Sequence, residues 1–412
     1  MTATTGNIVT VNAGSSSIKL AVYKTNQHIV DASSFATILI SNIGQPKALL
    51  EIIQPTKPTY TEEFDTIDHS EATHMIIGQL ANIIAPASIM AIGHRLVHGG
   101  MKYADPMVIN TIPDTDWELL SRLDPDHTPA AHELINQFSQ HYPSVLQIAC
   151  FDTAFFQQLP HIAKLIPIPR KYYDEGVRRY GFHGLSYTSL LATFQEKAGD
   201  IAMNGRVVLA HLGSGASLAA TYKGKPIDTT MGFTPTSGII MSTRSGDLDP
   251  NIFGFLHTHS HMDIEEFNHM VSSQSGLLGV SGLTGDMHAL LDLEKQNGDA
   301  AMAVELFIRD VRKSIGALTT TLGGINSLIF SGGIGEQSAI IRARICQDLE
   351  YMGIEINVQA NEENNFLISS QKSSVGVHVI PADEAHSIAV QIQELLLTKE
   401  SDRQLNYEQH AA

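Results

Sequence analysis

The sequence predicts a mixed α/β protein made of two related halves, and three observations carry that prediction. Residues 9–24 (VTVNAGSSSIKLAVYK) and 208–223 (VLAHLGSGASLAATYK) align without a gap, Asn12 falling over His211. Further apolar runs end in glycine-rich or acidic turns, the pattern of buried strands that feed crossover helices. The 412 residues suffice for two domains, each with its own core.

The hairpin repeat comes first. Val9/Val208, Gly14/Gly213, Ser15/Ser214, Ala21/Ala220, Tyr23/Tyr222 and Lys24/Lys223 are identical pairs. An alternating run, a Gly/Ser turn and a second alternating run predict a β-hairpin in each copy. Backbone N–H groups and hydroxyls can crowd around an anion in such a turn without side-chain obstruction. Two such turns point to halves that face each other across a cleft; two unrelated hairpins are the other reading of the match by itself.

The remaining elements follow in order. ASIMAIGHRLVHGG (87–100) is strand-like, and the apolar run VLQIACFD ends in Asp152. A domain boundary near Cys150 follows, giving domains 1–150 and 151–383. TSGIIMSTRSGDLDP (236–250) is a polar loop. NSLIFSGGIGEQSAIIRARICQDLEYMG is a buried strand, a glycine loop and a helix entered near Glu336. VHVIPADEAHSIAVQIQELLL repeats that plan, with Asp383 capping a helix whose apolar face is Ile388, Ile392, Leu395 and Leu396. The final SDRQLNYEQHAA is polar and expected to fray.

Composition narrows the function classes. A net charge of −17 argues against nucleic acid or an anionic membrane as partner, since both would repel most of the surface. An anionic substrate therefore needs local arginines. Two cysteines in apolar context, Cys150 and Cys346, suit reduced buried thiols, and the N-terminus carries no secretory pattern, so a cytoplasmic protein is expected. No apolar run is long enough to span a bilayer.

Several residues have the chemistry of a phosphoryl-transfer site. SGGIGEQS is a phosphate-cradle candidate or an ordinary strand-to-helix turn, and it is not a P-loop, because no Gly-Lys-Ser/Thr follows. His183, between glycines in RRYGFHGLSY, can reach a substrate and stabilise transferred charge, or serve the loop alone. Arg95 (GHRLVHGG) and Arg244 (STRSGD) have the planar fork that grips carboxylate or phosphoryl oxygens, though a surface salt bridge accounts for either one alone. Asp152 projects from a strand end or caps the next segment. Asn12 and Glu384 offer hard oxygens suited to Mg²⁺; for Glu384 a first-turn acidic residue is the alternative. Donors around phosphates, a divalent cation and positive groups at the moving phosphoryl are what that reaction requires.

VNAGSSSIK, GHRLVHGG, FDTAFF, RRYGFHGLSY, HLGSGAS, MGFTP, TRSGDLDP, SGGIGE and PADEA resemble, in order, the motifs of the acetate and propionate kinases, over about residues 7–398. The resemblance implies the fold shared by actin, Hsp70 and the sugar kinases: two duplicated RNase-H-like domains, an interdomain nucleotide cleft, and a C-terminal helix (384–400) returning to the first domain of a homodimer. It implies reversible transfer from ATP to acetate, giving ADP and acetyl phosphate. Asn12 and Glu384 would organise Mg²⁺. Arg95 and Arg244 would hold the carboxylate and the phosphoryl group. His183 would stabilise the transition state with His127 and His211 nearby, and Asp152 would position groups at the reacting centre. Val97, Phe182 and Pro235 would line the acyl pocket, with Asp126 and His127 at the substrate. Lys19, His211, Gly213, Ser214, Gly215, Gly333 and Gly335 would contact the nucleotide phosphates, and Asp286, Met287 and His288 the adenosine.

The chain departs from the family pattern at Ser214, Ser237, Ser242, Gln337 and His288, where a neutral imidazole stacks on a base less strongly than arginine. Asp126 replaces an apolar residue beside His127. Buried unpaired, its carboxylate would cost several kcal/mol and repel a carboxylate substrate. It therefore turns to solvent, pairs with a neighbour, or marks an acceptor other than plain acetate; propionate or a polar acyl analogue is the alternative substrate. A non-catalytic nucleotide switch of the same fold is a rival of another class, against which Arg95, His183 and Arg244 argue. His94 and His98 lack the glutamate of an H-E-x-x-H metal hydrolase, since position 95 is arginine.

Overall fold

The computed structural model describes residues 6–14, 16–26, 29–30 and 33–411. Ser15, one member of an identical pair in the repeat, lies outside them. The chain forms two compact units: one from the segment up to Ala154 together with the segment from Asp383 on, the other Phe155–Ala382. The first break falls after Ala154, just past Cys150. The Asp152 N–H still donates to the Leu96 carbonyl (2.8 Å) and Thr153 Oγ1 accepts from Gly99 N (3.0 Å), tying both residues to the first unit.

The first unit holds β1 (Gly6–Ala13), β2 (Ser17–Asn26), β3 (Ile29–Val30), β4 (Ala36–Ser41), β5 (Ala48–Ile53), β6 (Tyr60–Phe64), β7 (Ile89–Leu96), β8 (Met107–Val108) and β9 (Leu146–Phe151). They order β6-β5-β4-β2-β1-β7-β9-β8, with β3 beside β2. β1 runs antiparallel to β2 and parallel to β7, which runs parallel to β9. Val9, Val11, Leu20, Ile38 and Ile40 bury one face against the helix His69–Ile83 and Phe138. Such alternation on a half-covered sheet follows from the two-residue side-chain period. The C-terminal helix Glu384–Ala411 packs on β1 and β7 through Ile388 and Ile392, both wholly buried. Gly93 permits that docking, because a Cβ there would lie 2.2 Å from Ile392 Cδ1. Asp383 Oδ1 accepts from His386 N at 2.9 Å, the expected cap. The helix extends through the tail expected to fray, as far as Ala411.

The second unit holds β10 (Arg206–Leu212), β11 (Ala216–Tyr222), β12 (Lys225–Thr229), β13 (Ser327–Ser331) and β14 (Gly376–Val379), in the order β12-β11-β10-β13-β14. β10–β11 is antiparallel, while β10–β13 and β13–β14 are parallel. The same pattern of directions runs through β4-β2-β1-β7-β9, so the two sheets share one five-strand plan. Phe194, Leu209, Ala219 and Ile329 belong to its core on the side of the helix Gly184–Met203.

The gapless repeat is corrected at its turn. Ala13 pairs with Ile18, whereas Leu212 pairs with Ala216, so the first turn is one residue longer. A one-residue slip exchanges the faces of the following strand. Tyr23 is accordingly buried and its sequence partner Tyr222 is 41% exposed. The Tyr and Lys identities are therefore not equivalent positions; the shared strand order is the true correspondence. The SGGIGEQS segment also differs from expectation, because its helix is short, Gly332–Gln337, and starts at the glycines rather than at Glu336. Glu336 instead turns back, its Oε1 accepting from Gly332 N (2.9 Å) and Ala382 N (3.0 Å). No helix among the described residues is long and apolar enough to cross a membrane.

Candidate active site

In the first unit, adjacent strand ends deliver the predicted polar residues to one place. Asn12 is the last residue but one of β1, β7 carries Arg95, and Asp152 follows β9. Glu384 opens the C-terminal helix. Arg95 Nη2 donates to Asp152 Oδ2 at 2.7 Å and Nη1 to Asn12 Oδ1 at 3.3 Å. Asn12 Nδ2 donates to Glu384 Oε2 at 2.6 Å. Burial opposes the charge on Arg95, but Asp152, Glu384 and Asp124 together outweigh it and hold the guanidinium above its ordinary value. It is thus a permanent, oriented cation.

Arg95 borders a pocket of about 270 Å³ together with Val97, His127, Asp126, Thr73 and Gln137. His127 Nδ1 lies 2.8 Å from Asp124 Oδ1, which orients its ring. Asp126 is exposed in the turn before the helix Thr128–His141, so the first of its three alternatives holds: the carboxylate sits in solvent at the rim. Lys19 pairs with Asn12 in the β1–β2 ladder and is exposed.

In the second unit, His183 adopts a left-handed conformation (φ 60°) at the start of the helix Gly184–Met203. Its Nδ1 lies 2.8 Å from Ser217 Oγ, which also bonds the Tyr187 hydroxyl at 2.6 Å. His211 Nδ1 lies 2.8 Å from Ser186 Oγ, and the two imidazoles sit 4.5 Å apart. A Cβ at Gly215 would lie 3.2 Å from His183 Nε2 and 3.6 Å from Arg244 Nη1, so glycine keeps both groups close to the turn. Arg244 Nη1 donates to the Pro235 carbonyl at 3.3 Å. Phe182, the other apolar residue expected at the substrate, is wholly buried here.

Two glycine turns adjoin in this unit. A Cβ at Gly213 would lie 3.9 Å from Gly333 N, while one at Gly333 would meet nothing within 4 Å. Ser242 N donates to the Ser214 carbonyl at 3.1 Å, and Gly285 packs against Ser242, bringing the segment before Asp286 alongside. Asp286 accepts from Ala289 N at 2.8 Å as a helix cap, Met287 is buried, and His288 is exposed with Asp292 at 3.4 Å. Gly335 lies within the short helix.

Sequence reading passed over Ser217, Tyr187, Ser186 and Asp124, which orient the imidazoles. Ser186 and Tyr187 stand in the quoted RRYGFHGLSY segment, where hydroxyls one turn after a histidine were the available signal. The donor set for a divalent cation is oxygen-rich at Asn12, Glu384 and Asp152, chemistry that suits Mg²⁺. No group of three or more His, Cys, Asp or Glu able to hold a metal by itself occurs among the described residues, so such an ion would take further ligands from phosphate and water.

Two sheets of one strand plan, with fixed cations and adjoining glycine turns, define a phosphotransferase of the actin- and Hsp70-like fold. The chain belongs to the acetokinase family, whose model matches residues 7–390. It is 36% identical over 386 residues to an acetate kinase of Rhodopseudomonas palustris, covering 93% of this chain and 96% of that protein. It is 37% identical over 400 residues to a propionate kinase of Citrobacter rodentium, covering 95% and 97%. Among solved structures, it matches a propionate kinase from Francisella tularensis (TM-score 0.85, 32% identity, 94% and 98% covered). It also matches the Porphyromonas gingivalis acetate kinase (TM-score 0.82, 32% identity, 95% and 100% covered).

Proposed function

We propose that the protein is an acetate kinase, transferring the γ-phosphoryl group of ATP reversibly to acetate to give ADP and acetyl phosphate. The observation that carries this reading is Arg95: a guanidinium fixed by Asp152 and Asn12 at the edge of a small pocket that Val97 makes partly apolar. A carboxylate acceptor needs such a fork, and a short acyl tail needs the apolar wall.

Arg95, oriented by Asp152, would hold the acceptor carboxylate at the reacting centre. Arg244 and His183 would neutralise charge that develops on the phosphoryl group, His183 being oriented through Ser217. Gly213, Ser214, Gly215, Gly333 and Gly335 would let backbone N–H groups approach the nucleotide phosphates, and Asp286, Met287 and His288 would lie towards the adenosine. Asn12 and Glu384 would hold Mg²⁺, which when bound supplies neutralisation of phosphate charge. ATP as co-substrate favours the cytoplasm. The helices Asn251–Ser260 and Ile264–Ser273 carry no buried residue and expose Phe255 (64%) and Ile264 (53%), which supports a homodimer through the second unit.

Trapping acyl phosphate with hydroxylamine, over acetate, propionate, butyrate and hydroxylated or amino analogues, tests the reading. Mg²⁺-ATP with acetate is expected to give the hydroxamate at the highest kcat/KM. A preference for propionate or a polar analogue would move the acceptor assignment. No product from any short carboxylate, with ATP still bound, would favour the nucleotide switch.

A further inference from the structure

Arg342, in the helix Ala339–Cys346, is wholly buried, the largest side chain in the molecule to be so among the described residues. All five of its N–H groups are used. Nε donates to Asn361 Oδ1 (2.7 Å), Nη2 to the Asn361 carbonyl (2.6 Å) and Asn364 Oδ1 (2.5 Å). Nη1 donates to the carbonyls of Gly335 (2.9 Å) and Glu336 (2.8 Å). Every acceptor is neutral. The Glu336 carboxylate turns instead to the Gly332 and Ala382 N–H groups. Cys346 is the titratable neighbour that acts on it, and burial pushes that thiol up to about 12, so it carries no charge at neutral pH.

A buried guanidinium with complete hydrogen bonding but no anion is costly, because hydrogen bonds replace its water shell without supplying counter-charge. Its position explains what the cost serves. Arg342 grips the carbonyls of Gly335 and Glu336 in the turn Gly332–Gln337, while Gly333 N lies 3.9 Å from where a Cβ on Gly213 would stand, and a Cβ on Gly333 itself would meet open space.

We propose that Arg342 is a positioning residue for the nucleotide: it locks the carbonyl side of the Gly332–Gln337 turn and leaves its charge to be balanced by the phosphates bound across that turn. The inference rests on the acetate kinase reading, which places phosphates at Gly333 and Gly335. Unlike a purely structural role, it makes the energetic contribution of Arg342 depend on how many phosphates the ligand carries.

Calorimetric titration of the whole protein with ADP and with adenosine tests it through the ratio Kd(adenosine)/Kd(ADP). Arg342→Gln keeps donors and removes charge. Asn364→Asp places a carboxylate on the same guanidinium at an exposed position already in the left-handed region (φ 52°), which aspartate tolerates, so this variant is expected to fold. Both are expected to lower the ratio about ten-fold, the scale of one charge acting at protein dielectric. Arg342→Lys, which keeps the charge, is expected to stay near wild type. An unchanged ratio in Asn364→Asp, or a fall in Arg342→Lys equal to that in Arg342→Gln, would overturn the proposal while leaving the acetate kinase reading intact. Failure of the wild-type protein to bind ADP would overturn both.

Discussion

Arg95 and Asp152 are joined at 2.7 Å, with the carboxylate side chain wholly buried and the guanidinium 14% exposed. The asymmetry has a function: the hidden carboxylate anchors a cation that still reaches the pocket. Arg95 is charged at every accessible pH, so its partner cannot be removed without leaving a partly buried charge less well balanced.

Asp152→Asn preserves the shape and an acceptor but deletes the counter-charge. It is expected to destabilise the first unit by about 3 kcal/mol, at the lower end for breaking a buried ion pair. It is expected to lower kcat roughly 100-fold, because the guanidinium loses its orientation. Urea denaturation and the hydroxamate rate check both. A stability loss below about 1 kcal/mol, the scale of exposed pairs, would show that Asn12 and Glu384 suffice to hold Arg95.

Such strand-end residues were legible in the sequence. Asn12, Arg95 and Asp152 stand at or near the ends of apolar runs, where a parallel sheet delivers side chains to one edge. The turn slip was not legible, because identity between Tyr23 and Tyr222 says nothing about how many residues the intervening turn consumes. Arg342 was equally hidden. In IIRARIC an arginine reads as a helix surface residue, and its burial depends on Asn361 and Asn364, which only the tertiary fold brings to it. Glu336 failed for a related reason: a carboxylate near a helix start reads as the start itself, whereas here it folds back onto Gly332.

His378 on β14 sits between Phe194 (5.0 Å) and Phe366 (4.9 Å), and burial lowers it from 6.5 to about 4. Between those values the unfolded chain binds a proton that the folded one excludes, so stability falls on acidification. From about pH 7 to about pH 5 this group should cost the fold about 2 kcal/mol. His378→Met is expected to flatten the pH dependence by that amount, whatever its own effect at neutral pH. His94, also lowered to about 4 by burial, contributes a similar slope in the first unit. An unchanged slope in His378→Met, from denaturation midpoints at the two pH values, would mean that the ring is protonated in place.

Asp126 sits exposed at the rim of the Arg95 pocket, so its charge acts on an incoming carboxylate through water rather than from within a dry wall. Repulsion at that range is about 0.5–1 kcal/mol and is screened by salt. Asp126→Leu is therefore expected to lower KM for acetate roughly three-fold at low ionic strength, with kcat nearly constant, since the effect precedes the chemical step. At about 0.5 M salt, where the screening length drops to roughly 4 Å, the difference should nearly vanish. The same substitution extends the apolar wall begun by Val97, so plain acyl acceptors should gain over hydroxylated or amino analogues in relative kcat/KM. Equal KM values for acetate at low salt, together with an unchanged ranking across the acceptors, would place Asp126 outside the substrate's reach. A KM gap that persisted at high salt would instead mean that Asp126 turns inward when the acceptor binds.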